Sequence, residues 1–457
     1  MDKFFKIKER GSSIFQEIMG GLIVFLAISY ILPVNASILS STGASYDAIF
    51  FATAICSAIC CILMGVIANF PVALSAGMGV NAYLAFTVCG KTMGYSFSQS
   101  LMLVLIAGLL FLVLTLTPLR EKIIKSIPKS LKYAVSAGLG GFICFVGLKN
   151  GGLIKADPMG TYVTLGDFSN PTVLLTLFGV FLVLALMQVK GKVGKLAIVI
   201  SMGITALVGV VLGLLGVENM PTFVNASVKE GFKAFGGNLG LCFSKEAWSV
   251  FARPESYAVI FSLIFVNLFD TTATLIAVGD KVGILDENGD FIGGKKAMLA
   301  DAIGAGICAP LGTSTVTSFA ESTVGAESGA KTGLAACTTG ALFILAMFIY
   351  PFFSIFAGVN IEGVNLTPVT SLALVSVGCL MFGNLKGIDW SDNITVITTF
   401  LIVILMILTY SVSDGLGIGL IAYCVMMMVS KRGKEVPVII YGVAIFFILN
   451  YLLKVLL

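Results

Sequence analysis

The sequence predicts an all-α polytopic membrane protein: fourteen transmembrane segments arranged as a 7+7 inverted repeat, with an extra C-terminal hydrophobic helix. Three observations carry this expectation. Of 457 residues, 58% are apolar and only 11% are charged, against about 25% charged in an ordinary soluble domain. The mean hydropathy of +1.03 reflects long apolar runs, and runs of roughly 20 residues are what a ~30 Å hydrocarbon core requires. Stretches such as 101–116 and 401–408 are apolar on every face, which excludes the alternating ~10-residue strands of a membrane β-barrel.

Residues 1–14 form a stub carrying Lys3, Lys6, Lys8 and Arg10. The apolar stretch behind it runs past Leu32 without a small-residue cleavage site, so it reads as a cytoplasmic stub before a first span and not as a signal peptide. Breaks at charge and at Pro/Gly clusters place seven segments within 15–216, near 15–39, 47–68, 72–88, 98–117, 128–148, 171–188 and 196–216. A polar connector, 217–255, divides the chain and reads as extracellular. Seven more segments fill 256–430, near 256–279, 297–311, 313–330, 333–356, 366–384, 394–412 and 415–430. A basic loop and a last apolar run occupy 431–457, and the run from 436 onward reads either as a fifteenth span or as an interfacial helix. With the N-terminus cytoplasmic, inside loops hold 20 basic residues and outside loops seven. That bias obeys the positive-inside rule and reads as a multi-pass plasma (inner) membrane protein.

Two seven-span halves joined this way are inverted relative to each other, as in many secondary transporters. Internal matches support the repeat: Pro71 and Pro310 open segments three and ten, 239 residues apart, and Pro128 and Pro368 open segments five and twelve, 240 apart. Segments three and ten are short and rich in Gly, Ser and Thr. Each reads as an extended stretch leading into a half-helix, and unwound backbone at membrane depth is tolerated only where it is buried in protein or lines a cavity.

Ionisable groups within spans are few, and each is a functional candidate because it costs on the order of 3 kcal/mol at the bilayer centre. Segment eight supplies Asp270 and, at i, i+3, i+4 and i+7 spacing with it, Asn267, Thr271 and Thr274 on one face. Segment nine supplies Asp301; segment ten supplies Ser318 and Glu321, with Glu327 nearer the cytoplasm. Asn81 lies in segment three. The candidate ligand-binding residues on these segments are Glu321, Asn267, Thr271 and Ser318, and the candidate proton-handling residues Asp270, Glu321 and Asp301.

Other function classes fit the sequence less well, an ion channel among them. The net charge of +4 is dispersed, so no nucleic-acid partner is expected. The chain has no His and its ten Cys form no CxxC pair, so neither a disulfide framework nor a zinc centre is implied, and no cofactor is expected. The run Asp286-Glu287-Asn288-Gly289-Asp290 lacks the final Glu of a calcium loop and reads as a turn. Gly415-Leu416-Gly417-Ile418-Gly419 follows no strand and reads as close helix packing. A channel wants rings of like groups, and a membrane enzyme wants a nucleophile beside a base; neither pattern is present.

The motifs Ala76-Gly77-Met78-Gly79-Val80-Asn81-Ala82-Tyr83, Phe265-Val266-Asn267-Leu268-Phe269-Asp270-Thr271, Gly312-Thr313-Ser314-Thr315-Val316-Thr317 with Glu321-Ser322, and Lys331-Thr332-Gly333-Leu334 resemble those of the AzgA-like purine permeases. That branch belongs to the nucleobase–cation symporter superfamily, which includes uracil and xanthine permeases. The resemblance spans about 15–430. It implies a core domain (segments one to four and eight to eleven), a gate domain (five to seven and twelve to fourteen), pairing as a homodimer, and proton-coupled uptake of adenine, guanine or hypoxanthine. By motif position it puts binding residues at Asn81 and Glu321 and the transport-critical acid at Asp270. Two positions depart from the family pattern: Asn267, usually Asp, which cannot titrate, and Lys331, usually Arg. The first keeps open a different planar heterocycle, such as xanthine, uracil or a deazapurine.

Overall fold

A computed structural model describes residues 2–90, 93–117, 120, 128–157, 162–222, 227–283, 294–356, 358–361 and 364–456. The chain is mostly helical. In the first half the helices are α1 (Ile14–Ile28), α2 (Ile31–Ser40), α3 (Tyr46–Leu63), α4 (Met78–Ala82), α5 (Phe97–Leu116), α6 (Lys129–Asn150), α7 (Pro171–Leu186) and α8 (Ala197–Leu214). The connector contributes α9 (Val228–Asn238). The second half runs α10 (Glu255–Val282), α11 (Gly294–Ile307), α12 (Ser322–Glu327), α13 (Gly333–Phe348), α14 (Pro368–Phe382), α15 (Asn393–Leu408), α16 (Val412–Val429) and α17 (Val438–Leu456). Among the described residues, seven helical stretches are long and apolar enough to cross a membrane, or eight if a bent pair counts as one span. The Asp286–Asp290 run lies outside the described residues.

Helix starts follow from capping residues. Ser13 accepts from the Gln16 amide at α1, and Ser96 forms a reciprocal box with Gln99 at α5. Pro171 and Pro368 occupy the first turn, where no N–H is needed. The first segment breaks at Ser29 and Tyr30, between α1 and α2. Large apolar side chains such as Leu116, Phe181, Leu214, Leu408 and Val429 face outward, the surface a lipid-embedded chain presents.

Packing gathers the helices into neighbourhoods. Helix α13 lies against α1 and α3, and α11 against α5; α14 lies against α6, α7 and α8, and α15 against α6 and α16. Helix α17 packs on α16 and touches α10, with Phe261 stacked on Phe446 at 5.3 Å. The stub is knitted into this scaffold. The Arg10 guanidinium donates to the carbonyls of Asn69 (2.7 Å) and Lys331 (3.0 Å). The fully buried Glu17 accepts from the amides of Lys331 (2.8 Å) and Thr332 (3.2 Å) at the start of α13.

Backbones touch where α13 meets the end of the second segment. A Cβ on Gly333 would lie 2.1 Å from the Gly65 carbonyl oxygen, and one on Gly65 2.4 Å from that of Gly333. Gly333→Ala is therefore expected to force the two segments apart, costing about 1–3 kcal/mol as overpacking does. A lowered melting temperature of the detergent-purified protein would register it, and an unchanged one would contradict this close approach.

Candidate functional site

Segments three and ten do not run as continuous helices. Strand β1 (Leu74–Ala76) pairs antiparallel with Val316–Ser318, in the register Leu74 with Ser318, Ser75 with Thr317 and Ala76 with Val316. Two outer hairpins, β2 (Ile154–Asp157) with β3 (Tyr162–Leu165) and β5 (Val359–Ile361) with β6 (Val364–Leu366), lie in sequence around the central strand, which is thus β4. The ladder extends at both ends: the Gly77 amide donates to the Thr315 carbonyl (3.1 Å) and the Phe319 amide to that of Ala73 (3.0 Å). Gly77 allows the approach, since a Cβ there would meet Thr317 Cγ2 at 2.8 Å. The pairing satisfies backbone groups that would otherwise be stranded inside the protein. Each strand then enters a short helix, α4 or α12.

Around this crossing the polar side chains are buried and incompletely paired. Asn81 on α4 is fully buried; its Oδ1 accepts from the Ser314 hydroxyl, while its Nδ2 has no partner among the described residues. Asn267 on α10 donates through Nδ2 to Thr315 Oγ1 (3.1 Å) and leaves Oδ1 without one. The Ser318 hydroxyl on β4 is likewise buried and unpaired among the described residues. Glu321 stands just before α12, half-buried, and accepts from the Tyr30 hydroxyl (2.9 Å). Through Ser314, Thr315 and β4 the fold joins Asn81, Asn267, Ser318 and Glu321 into one stretch.

Thr271 and Asp301 belong to a second network, one helical turn along α10 from Asn267. The Thr271 hydroxyl donates to Asp301 Oδ1 (3.1 Å), and Asp301 Oδ2 lies 3.5 Å from Arg120 Nη2. Both members of this ion pair are buried to 1% exposure or less. Arg120 also donates to Thr115 Oγ1 (3.0 Å) and to the Met298 carbonyl (3.2 Å), and its guanidinium lies 4.4 Å from the centre of the Phe111 ring. Arg120, the first of the basic residues after the fourth segment, is buried and paired. Asp270 lies on α10, and its side chain is outside the described residues.

Two further residues were not among the candidates. Tyr30 has a signal in retrospect, the Pro33 that follows it inside an otherwise apolar span. Ser314 has one in its place within the 312–317 motif. An unpaired amide N–H, an unpaired amide oxygen, a free hydroxyl and a carboxylate together offer donors and acceptors of both kinds. Nothing in the set places a nucleophile beside a base. The arrangement suits recognition of a small polar molecule.

Comparison with known proteins gives the family. A family model described as "Permease family" matches residues 15–416. The chain belongs to this permease family. As a member it is a membrane transport protein and not an enzyme. It is 41% identical to the guanine/hypoxanthine permease PbuG of Bacillus subtilis, over 99% of each chain. It is 34% identical to the adenine permease AdeP of Escherichia coli, over 98% of this chain and 95% of that one. In fold the permease is similar to the transmembrane domain of the cyanobacterial bicarbonate transporter BicA. The TM-score is 0.61 at 13% identity, covering 88% of this chain and 96% of that one. That likeness extends the membrane-transporter architecture to this chain and says nothing of its substrate.

Proposed function

We propose that this permease carries purine nucleobases, guanine and hypoxanthine or adenine, across the plasma membrane by proton-coupled alternating access. The observation that carries the reading is the β1–β4 crossing, where Asn81, Asn267 and Ser318 have buried polar atoms without partners among the described residues and where Glu321 follows β4 at the start of α12. A purine edge alternates ring N–H, ring nitrogen and carbonyl or amino groups, so it needs donors and acceptors side by side. Relatives named as guanine/hypoxanthine and adenine permeases along their whole length support the same substrate class.

In this reading the chain has fourteen spans with the N-terminus cytoplasmic. Segments one to four and eight to eleven form the core that holds the base, and five to seven with twelve to fourteen form the gate. The packing of α13 on α1 and α3, and of α14 on α6 to α8, supports that division. Two copies pair as a homodimer. Asp270 takes the coupling proton, with Glu321 reading the base. Asp301, ion-paired to Arg120, is better suited to hold α11 against the start of the cytoplasmic loop than to exchange a proton.

Uptake of labelled hypoxanthine, guanine and adenine into proteoliposomes under an imposed pH gradient, with unlabelled purines and pyrimidines as competitors, tests the reading. Saturable uptake driven by inward protons is expected. Absence of uptake, or displacement by uracil ahead of every purine, would overturn the substrate class.

The second reading, a different planar heterocycle, is favoured by one position, Asn267. Asn267→Asp is nearly isosteric, and its carboxylate can accept from the Thr315 hydroxyl where the amide now donates to it, so the protein is expected to fold. It replaces the amide donor by a titratable group, and the uptake-versus-pH curve is expected to gain a new inflection with an altered competition order. An unchanged curve and order would remove position 267 from the site.

A further inference from the structure

We propose that Cys56, Cys60 and Cys308 form a site for one soft, thiophilic divalent cation, buried behind the β4 strand. Cys56 and Cys60 are four residues apart on α3 and so project from one face; Cys308 follows α11 directly. Cys56 Sγ lies 2.9 Å from Cys308 Sγ and 4.0 Å from Cys60 Sγ. All three sulfur atoms fall within 4.8 Å of one another, the only group of three such ligands among the described residues. Thiolates bound at about 2.3 Å to a common metal lie about 4 Å apart, so small side-chain rotations convert this cluster into a three-coordinate sulfur site.

The chemistry of the surroundings selects the ion. Sulfur ligands with no carboxylate or imidazole among them favour soft cations over magnesium or calcium, and all three residues are completely buried. Binding would release two protons to solvent, leaving two thiolates and one neutral thiol on a divalent ion. The filled site then carries no net charge, which a low-dielectric interior requires. The competing explanation is that the three thiols serve as small apolar packing residues.

Position gives the site a consequence. Gly304 sits between the cluster and the strand: a Cβ there would meet Cys60 Sγ at 3.0 Å and Val316 Cγ2 at 2.9 Å. Val316 belongs to β4, which pairs with β1. A cation bridging α3 to Cys308 would fasten the second segment to the turn that leads into β4, and so stiffen the strand pair.

Titration of the reduced, detergent-purified full chain with cadmium chloride tests this without reference to any transported substrate. The wild-type protein is expected to bind one tight equivalent with thiolate-to-cadmium charge-transfer absorption in the ultraviolet and a rise in melting temperature. Cys379→Ser, at an exposed cysteine, is expected to behave as wild type. Cys308→Ser and Cys60→Ala are each expected to lose the equivalent, the absorption and the thermal shift; the two are read independently, so a folding failure in one leaves the other decisive. A wild-type protein that binds no tight equivalent, or a tight equivalent that survives in the folded Cys308→Ser or Cys60→Ala protein, would overturn the proposal.

Discussion

Arg120→Met is expected to unfold much of the protein or strip it from the membrane, the largest single loss anticipated for this chain. The substitution keeps the apolar stem over Phe111 but removes the counter-charge 3.5 Å from the Asp301 carboxylate, which is fully buried. Breaking a buried pair from one side typically costs about 3–5 kcal/mol, because the remaining charge is stranded, whereas replacing both members is often neutral. Arg120→Met combined with Asp301→Asn removes both charges and leaves an amide for the Thr271 hydroxyl, so the double variant is expected to recover most of the lost stability. Melting curves and monodispersity of the single and double variants measure both effects. Equal losses in the two would show that the pair is not the source. If the double variant also retains a proton-driven uptake response, Asp301 takes no part in coupling.

Glu321→Gln is expected to weaken binding of a purine base about 10- to 100-fold. A hydrogen bond to a charged group contributes roughly 1.5–3 kcal/mol, and 1.4 kcal/mol corresponds to about one decade of affinity. The geometry sharpens the expectation. Tyr30 donates to Oε1 (2.9 Å), and the glutamine carbonyl can keep that bond, so its NH2 must replace the other oxygen, turning an acceptor into a donor that opposes a ring N–H. Tyr30→Phe removes only the orienting hydroxyl and is expected to cost about 1 kcal/mol, roughly fivefold. Calorimetric binding on folded protein distinguishes the two. Near wild-type affinity in Glu321→Gln would remove Glu321 from base recognition, and a Tyr30→Phe loss equal to that of Glu321→Gln would give the recognition role to the tyrosine.

The helices were legible because apolar runs and capping residues are local properties. The run expected near 394–412 is α15, Asn393–Leu408, started by Asp392, whose side chain accepts from the Thr395 amide. Asn267 and Ser318 stood out because an amide or hydroxyl in an apolar span has few roles besides hydrogen bonding, and Asn81 through its place in a family motif. The extended stretches of segments three and ten were legible from their Pro, Gly, Ser and Thr, but their pairing was not: Leu-Ser-Ala and Val-Thr-Ser are too short to show any period, and each becomes a strand by meeting the other across the chain. The pairing of Arg120 was hidden for a related reason. An arginine after Thr117-Pro118-Leu119 looks like any loop cation until its partner, on a helix far along the sequence, is brought beside it. Local pattern gave the helices; pairings between the halves had to be seen.

Those pairings bear on how the protein is made. The ribosome delivers Leu74–Ala76 while more than half of the chain, including Val316–Ser318, is still unmade. The Glu17 carboxylate likewise waits for the amides of Lys331 and Thr332. During that interval the third segment carries backbone groups that lipid cannot satisfy, so a nascent chain must keep it at the interface or shielded by the insertion machinery until the tenth emerges. Assembly of the centre is therefore a late, post-insertion event that joins two separately inserted halves.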